Sequence, residues 1–226
     1  MVDVPKDNDA LRQKYWDDKR VEFEQGCNQG NAGACFSLGE WYQLLQRDLT
    51  KAAEIFEETC EKKQHGNSCF SLAQLYKGRV LGKDEAEQKA KSFELTDRAC
   101  EYGNSQACSA IASHYLYGFG CAKDVPKAQK LFENACEEND PIACFKLGRL
   151  FLDGERKHHV PRDAPRAFTH MKKACDLGHP NGCQVLAVMY RKGDGVKKDM
   201  KLFDHYRQLT LDIVKQTGER MGAEVV

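Results

Sequence analysis

The sequence predicts an all-α protein, an α/α solenoid of about five helix–turn–helix repeats with disulfides stapling the turns. Three observations carry this. Ten of the eleven cysteines fall into five pairs: Cys27 and Cys35, Cys60 and Cys69, Cys100 and Cys108, Cys136 and Cys144, Cys175 and Cys183. The first cysteines of successive pairs are 33, 40, 36 and 39 residues apart, a period that marks a repeat array. Around each pair the apolar residues recur at helical spacing, as in Ala128, Leu131, Phe132 and Ala135 before Cys136, and Phe145, Leu147, Leu150 and Phe151 after Cys144.

Residues 1–10, with Pro, Asn and Asp clustered, read as a flexible N-terminus. Residues 11–26 read as a capping helix carrying Leu11, Tyr15 and Trp16. The five repeats follow and share more than cysteines. Four positions before the first cysteine stand Phe23, Phe56, Thr96, Phe132 and Met171, and three after the second stand Leu38, Leu72, Ile111, Leu147 and Leu186. The next residue is always small (Gly39, Ala73, Ala112, Gly148, Ala187), which lets a neighbouring helix come close. Seven after the second cysteine is always an aromatic: Tyr42, Tyr76, Tyr115, Phe151 and Tyr190. Gly78, Gly118, Gly120, Gly154, Gly193 and Gly195 come next and fit helix stops that need a positive φ. Residues 78–89 and 154–165 read as loop insertions on one face. Asp199 to about Thr217 reads as a last, capping helix with Leu202, Phe203, Tyr206, Leu209 and Ile213 on one side, and 218–226 as a flexible tail. Residues 11–217 thus form one solenoid domain.

The cysteine geometry can be argued from the turn. In a single helix, residues eight apart lie about 12 Å apart along the axis, at about 1.5 Å per residue. A disulfide needs Cα atoms about 4.4–6.8 Å apart. Cys136 and Cys144 can therefore bond only if Asn139-Asp140-Pro141 turns the chain back, with Asp140 as N-cap and Pro141 as first helical residue. Two alternatives stay open: reduced, buried cysteines acting as small hydrophobes, and a shifted pairing such as Cys35 to Cys60. Cys121, in YGFGCAKD, is left as the unbridged thiol.

Composition narrows the function. The 226 residues carry 34 basic and 34 acidic side chains, so no net charge points to nucleic acid or an anionic membrane. No apolar run reaches about 18 residues, so no membrane span is expected. The first residues lack an apolar core and a cleavage site, so no secretory signal is expected, and a start at Met1 leads to the expectation that nothing long precedes it.

Catalysis finds no motif: no G-x-S-x-G, S-x-x-K, phosphate-binding Gly loop, H-E-x-x-H or C-x-x-C. The cysteine spacing does not suit zinc. His158 and His159 read as solvated loop residues, His65 and His179 as capping or surface residues in the turns, and His114 as a packed histidine, with haem left open as a ligand for it. Trp41, Tyr117 and Phe119 read first as core and second as anchors for a partner.

ACFKLGRLFLDG, CFSLAQLYKG and ACDLGHPNGCQVLAVMYRKGDGV resemble Sel1-like repeats, a pattern of a small residue, LG, an aromatic, then G-x-G-V and an Asp. The resemblance covers about Val21 to Asp199 and implies an α/α-hairpin solenoid related to tetratricopeptide repeats. CEKKQHGNSC and MYRKGDGVKKD are similar to the eukaryotic cysteine-rich group that contains cytochrome c oxidase assembly factors of the mitochondrial intermembrane space. That likeness implies a monomeric, non-enzymatic scaffold or chaperone-like factor. It further implies the intermembrane space as location, with respiratory-chain assembly components and the import oxidase as partners, and no cofactor. Two alternatives accompany it: a general Sel1-repeat adaptor, and the bacterial cysteine-rich group, which includes proteins that bind or hydrolyse β-lactams.

Overall fold

Helices form where the sequence supplies amphipathic stretches bounded by caps, and in this chain the caps recur at each turn. The computed structural model describes residues 9–78, 81 and 84–220. These residues form eleven α-helices: α1 (Asp9–Asn28), α2 (Ala32–Trp41), α3 (Leu49–Lys63), α4 (Gly66–Lys77), α5 (Glu85–Glu101), α6 (Ser105–Tyr117), α7 (Val125–Glu137), α8 (Pro141–His158), α9 (Ala164–Asp176), α10 (Pro180–Lys192) and α11 (Met200–Arg220). α2 runs directly into one π-helical turn, Tyr42–Gln46, which ends at Arg47 in the left-handed region. The fold class is the one the sequence predicts: an all-helical repeat solenoid in which five disulfides link the helices in pairs.

Each hairpin turn has the same construction. A residue of positive φ follows the first helix: Gly30, Gln64, Gly103, Asn139 or Gly178. The next residue caps the second helix. The side chains of Asn31, His65, Asn104, Asp140 and His179 each accept a backbone N–H from the first turn. Glycine suits the first position because it has no Cβ to strain the left-handed backbone. Asp, Asn and the Nδ1 of a neutral His suit the second because their lone pairs satisfy an N–H that the helix leaves unmet.

Two glycines depart from the sequence expectation. Gly78 has φ −72° and is not a left-handed stop. Gly154 lies inside α8, which continues to His158 and ends at His159 with φ 57°. A Cβ at Gly154 would lie 3.0 Å from Val160 Cβ, so this glycine permits a close approach of the chain beyond the helix. The inserted loop therefore begins at 159, not 154. α1 starts at Asp9 and α11 reaches Arg220, a few residues outside the expected bounds, with Asp199 as the α11 N-cap. The expected flexible segments 1–10 and 218–226 fall mostly outside the described residues.

The helices group into two compact units. One extends to Ile111 and includes Phe119–Cys121; the other takes Ala112–Gly118 and the chain from Ala122. The first unit is centred on Phe56, Cys60, Cys69, Leu72, Leu95 and Ala99. The second is centred on Phe132, Cys136, Cys144, Leu147, Met171 and Leu186. Full burial of a Phe, Leu or Met side chain contributes about 1.5–3 kcal/mol.

The small residue of each repeat is matched to what faces it. A Cβ on Gly39 would overlap the Phe56 ring, and a Cβ on Gly148 would lie 2.8 Å from Met171 Cε. At the positions eight and four before its first cysteine the third repeat carries the polar Ser92 and Thr96. Ser92 Oγ donates to the Ala73 carbonyl at 2.9 Å and Thr96 Oγ1 to the Ser92 carbonyl at 2.7 Å, so these buried hydroxyls are satisfied. In the second unit, Leu202, Phe203, Tyr206, Leu209 and Ile213 of α11 pack on the core and cover it.

Candidate functional site

The cysteines come first because they are the chain's most reactive groups. In the structure Cys27 bonds Cys35, Cys60 bonds Cys69, Cys100 bonds Cys108, Cys136 bonds Cys144 and Cys175 bonds Cys183, with Cα–Cα separations of 4.5–4.8 Å. Each bridge joins the end of one helix to the start of the next. Cys60, Cys69, Cys144 and Cys183 are fully buried, whereas Cys27, Cys100 and Cys108 are half-buried. Cys136 Sγ lies 3.9 Å from His170 Nδ1. Burial, and then the charge of Arg166, holds the His170 pKa below its ordinary value. Cys121 is half-buried and outside the five bridges.

The histidines take structural places. His65 Nδ1 accepts from Ser68 N–H at 3.3 Å, and His179 Nδ1 from Gly182 N–H at 3.2 Å. Burial lowers the pKa of both and so favours the neutral ring, and the backbone N–H donated to Nδ1 places the remaining ring proton on Nε2. His179 also stacks on Phe145, centroids 4.5 Å apart. His114 is buried. His158 ends α8 half-buried, edge-on to Tyr117 at 5.5 Å, so it is not the solvated loop residue expected, whereas His159 is exposed. Among the described residues no three His, Cys, Asp or Glu side chains converge to hold a metal.

Of the three aromatics singled out, Trp41 is core at 7% exposure. Tyr117 is 60% exposed, contrary to the first reading of it as core. It occupies the last position of α6, where the apolar stripe has already turned away. Phe119 is half-buried, with Lys77 and Lys89 near its ring at 6.0 and 5.9 Å.

A recurrent joint between hairpins was not visible in the sequence. The repeat aromatic accepts, through its carbonyl oxygen, a hydrogen bond from the N-cap aspartate of a later helix: Asp48 to Tyr42, Asp124 to Tyr115, Asp163 to Phe151 and Asp199 to Tyr190, at 2.9–3.0 Å. In three of these the same carboxylate accepts the N–H of a cationic residue three positions on, Lys51, Lys127 or Arg166. That cation then lies 4.1–4.3 Å from the centroid of the aromatic ring. The pattern aromatic, Asp, x, x, Lys/Arg was hidden by linkers of unequal length between aromatic and aspartate.

Two grooves lie on the second-helix faces. In the first unit a cavity of about 550 Å³ is lined by α2, α4 and the start of α6. Phe36, Phe70 and Leu44 give it apolar surface; Gln43, Asn67, Gln74, Asn104 and Gln106 line it with amides. Asn104 donates to Asn67 across neighbouring repeats at 2.8 Å. Burial raises the pKa of Glu40 at its edge. A row of amides offers donors and acceptors together, the chemistry that meets the backbone of an extended peptide. In the second unit a cavity of about 340 Å³ between α8 and α10 has a different lining, with Arg149, Arg156, Arg162 and Lys192 beside Asp153 and Asp194.

Comparison with known proteins fits this architecture. The Sel1 repeat model matches residues 32–63, 105–140, 141–179 and 180–202, more than half of the chain. The chain is 26% identical to cytochrome c oxidase assembly factor 7 of Xenopus tropicalis, over 97% of this chain and 95% of that protein. It is 28% identical to the Homo sapiens protein of the same name, over 89% of this chain and 72% of that one. The crystal structure of a Sel1 repeat protein from Oxalobacter formigenes superposes with a TM-score of 0.72 at 21% identity, over 84% of this chain and 75% of that one, and so shares the fold. Among the described residues no helix is long and apolar enough to cross a membrane.

Proposed function

Because the chain belongs to the Sel1 repeat family, we propose that it is a non-enzymatic protein-binding scaffold, held in shape by its disulfides, that assists the assembly of cytochrome c oxidase in the mitochondrial intermembrane space. The observation that carries this reading is the similarity, over nearly the whole of both chains, to proteins named cytochrome c oxidase assembly factor 7. Five disulfides support an oxidising compartment, since thiols in the cytosol are kept reduced. The two grooves support binding to proteins, because each presents polar or charged groups around an apolar floor.

In this reading residues 11–217 act as one array, and the protein is a monomer whose ten paired cysteines are closed by the import oxidase. Cys121 takes no part in the bridges. Respiratory-chain assembly components are the partners. Deleting the gene is expected to lower the level of assembled cytochrome c oxidase, with the protein itself protected from protease in intact mitochondria and exposed when the outer membrane is opened. Normal oxidase levels in the deletion strain would refute the assembly role, and protease sensitivity in intact mitochondria would refute the location.

A further inference from the structure

We propose that the groove between α8 and α10 docks an acidic polypeptide segment carrying one large apolar side chain. The inference rests on the protein-binding reading above but not on the mitochondrial assignment.

The floor of the groove is apolar, built from Leu152, Val185, Val188 and Met189. Its rim holds four cations, Arg149, Arg156, Arg162 and Lys192, against two carboxylates, Asp153 and Asp194. The pairs are unevenly committed. Arg162 makes two contacts to Asp194, at 2.6 and 2.5 Å, and so fixes the loop before α9 to the loop after α10. Arg149 pairs with Asp153 within one helix. That leaves Arg156, whose side chain is 86% exposed and only 3.9 Å from Asp153 at closest, and the exposed Lys192. Two positive charges therefore face the groove in excess of what the fold pairs internally.

The repeat register shows that these charges are not required by the hairpin. Five residues after the second cysteine, the position of Arg149, the other repeats carry Glu40, Gln74, Ser113 and Val188. Nine residues after it, the position of Lys192, they carry Leu44, Gly78, Tyr117 and Asp153. The same helix face is acidic or amide-lined in the first unit and cationic in the second. A structural need common to the repeats would have kept one residue type.

Shape and charge together select the occupant. A volume of about 340 Å³ lies at the low end of the roughly 300–1,000 Å³ of ligand pockets, room for an anchoring side chain rather than a large ligand. Arg149 and Arg156 meet at Asp153 while Arg162 is held at Asp194, so the cations are spread over separate places in the groove lining, which suits carboxylates spaced along a chain. A smaller cleft shares Arg149 and Asp153 with this groove and leads to Tyr117, Leu150 and His158. The exposed ring of Tyr117 thus supplies a second apolar contact for a segment that continues along α8.

The test uses the full oxidised chain and a fluorescein-labelled synthetic peptide in which glutamates flank one central Phe, with binding read by fluorescence anisotropy. Comparison probes are the same peptide with Lys for Glu, the same peptide with Ala for Phe, and phosphatidylserine vesicles. The Glu/Phe peptide is expected to bind, to weaken with salt, and to lose about tenfold or more in affinity in the Arg156→Glu, Lys192→Glu double variant, because reversed charges face the acidic chain. Tyr117→Ala is expected to weaken it several-fold, and Lys62→Gln on the exposed face of α3, outside both grooves, to leave it unchanged. Arg156→Gln with Lys192→Gln serves where the reversal lowers the melting temperature. Unchanged affinity in folded variants, equal binding of the Lys peptide, or capture by vesicles in place of the peptide would overturn the proposal. If no peptide binds while cross-linking in mitochondria still captures protein partners, this inference falls and the scaffold reading stands.

Discussion

Asp124 donates its backbone N–H to the carbonyl oxygen of Tyr115 at 2.9 Å, and so ties the end of α6 to the start of α7. Its carboxylate accepts the Lys127 N–H at 2.9 Å, and Lys127 Nζ reaches the Tyr115 hydroxyl at 2.6 Å while lying 4.1 Å from the ring centroid. One aspartate thus serves as cap, linker and aligner of a cation on an aromatic ring. Replacing Asp124 by Ala removes an N-cap, a change that costs about 0.5–2 kcal/mol. In a chain of this size 1 kcal/mol lowers the melting temperature by about 2–4 °C. Lys127→Ala should cost less, about 0.5–1 kcal/mol for a cation–π contact at an exposed site. Thermal melts of both single variants and the double variant would show sub-additive losses, since both act on one joint.

The repeat glycines set the spacing between neighbouring helices. A methyl group at Gly39 would overlap the Phe56 ring. Gly39→Ala is therefore expected to destabilise by about 1–3 kcal/mol through overpacking. The contact of the second repeat with the third shows a compatible alternative, with Ala73 beside the smaller Ser92. Combining Gly39→Ala with Phe56→Leu should recover part of the loss. Denaturant unfolding of the four proteins of this cycle gives the coupling directly.

The histidine caps predict a pH dependence. Burial depresses the folded pKa of His65 and His179, while the unfolded value is about 6.5. The unfolded chain then binds more protons in this range, so stability rises with pH. The contribution is fully present above the unfolded pKa and is lost as pH falls below it through the lower folded pKa. His65→Asn and His179→Asn keep a cap that does not titrate there and should flatten the profile below about pH 6.5. Unfolding free energies measured across that window would check this.

Single bridges can be weighed in the same way. Replacing both Cys136 and Cys144 by Ser opens a closed loop across a sequence separation of 8. The loop-entropy model gives a cost of roughly 2–3 kcal/mol for a loop this short, before any loss of packing by the buried sulfurs. Calorimetry of the double variant is expected to show a lower melting temperature with the helical content retained. A variant that melts like the parent would place the stability elsewhere.

The fold was legible where chemistry and spacing coincide. Paired cysteines, the Asp140-Pro141 start signal and the small residue before each aromatic all speak for antiparallel helices, and each signal is local in sequence. Gly154 looks in one dimension like a glycine needed for a positive φ, yet it serves a close approach, and Gly78 ends α4 with an ordinary negative φ that any residue adopts. Tyr117 was misread because its exposure depends on where α6 ends. The π-helical turn at Tyr42–Gln46 leaves no sequence mark that separates it from a continuing helix. Of the candidate surface, the groove residues were not predicted at all. Arg149 and Arg156 lie on α8, Arg162 in the linker before α9 and Lys192 at the end of α10, and only folding brings them around one apolar floor.

The central claim is that covalent links hold the two helices of each repeat together at the turn. Proteolysis of the protein isolated without reductant, with alkylation at the moment of lysis and mass spectrometry of the linked peptides, tests it most directly. The account predicts five linked peptides, Cys27 with Cys35, Cys60 with Cys69, Cys100 with Cys108, Cys136 with Cys144 and Cys175 with Cys183, and alkylation at Cys121 alone. Alkylation of the ten paired cysteines, or linkage between repeats such as Cys35 with Cys60, would contradict it.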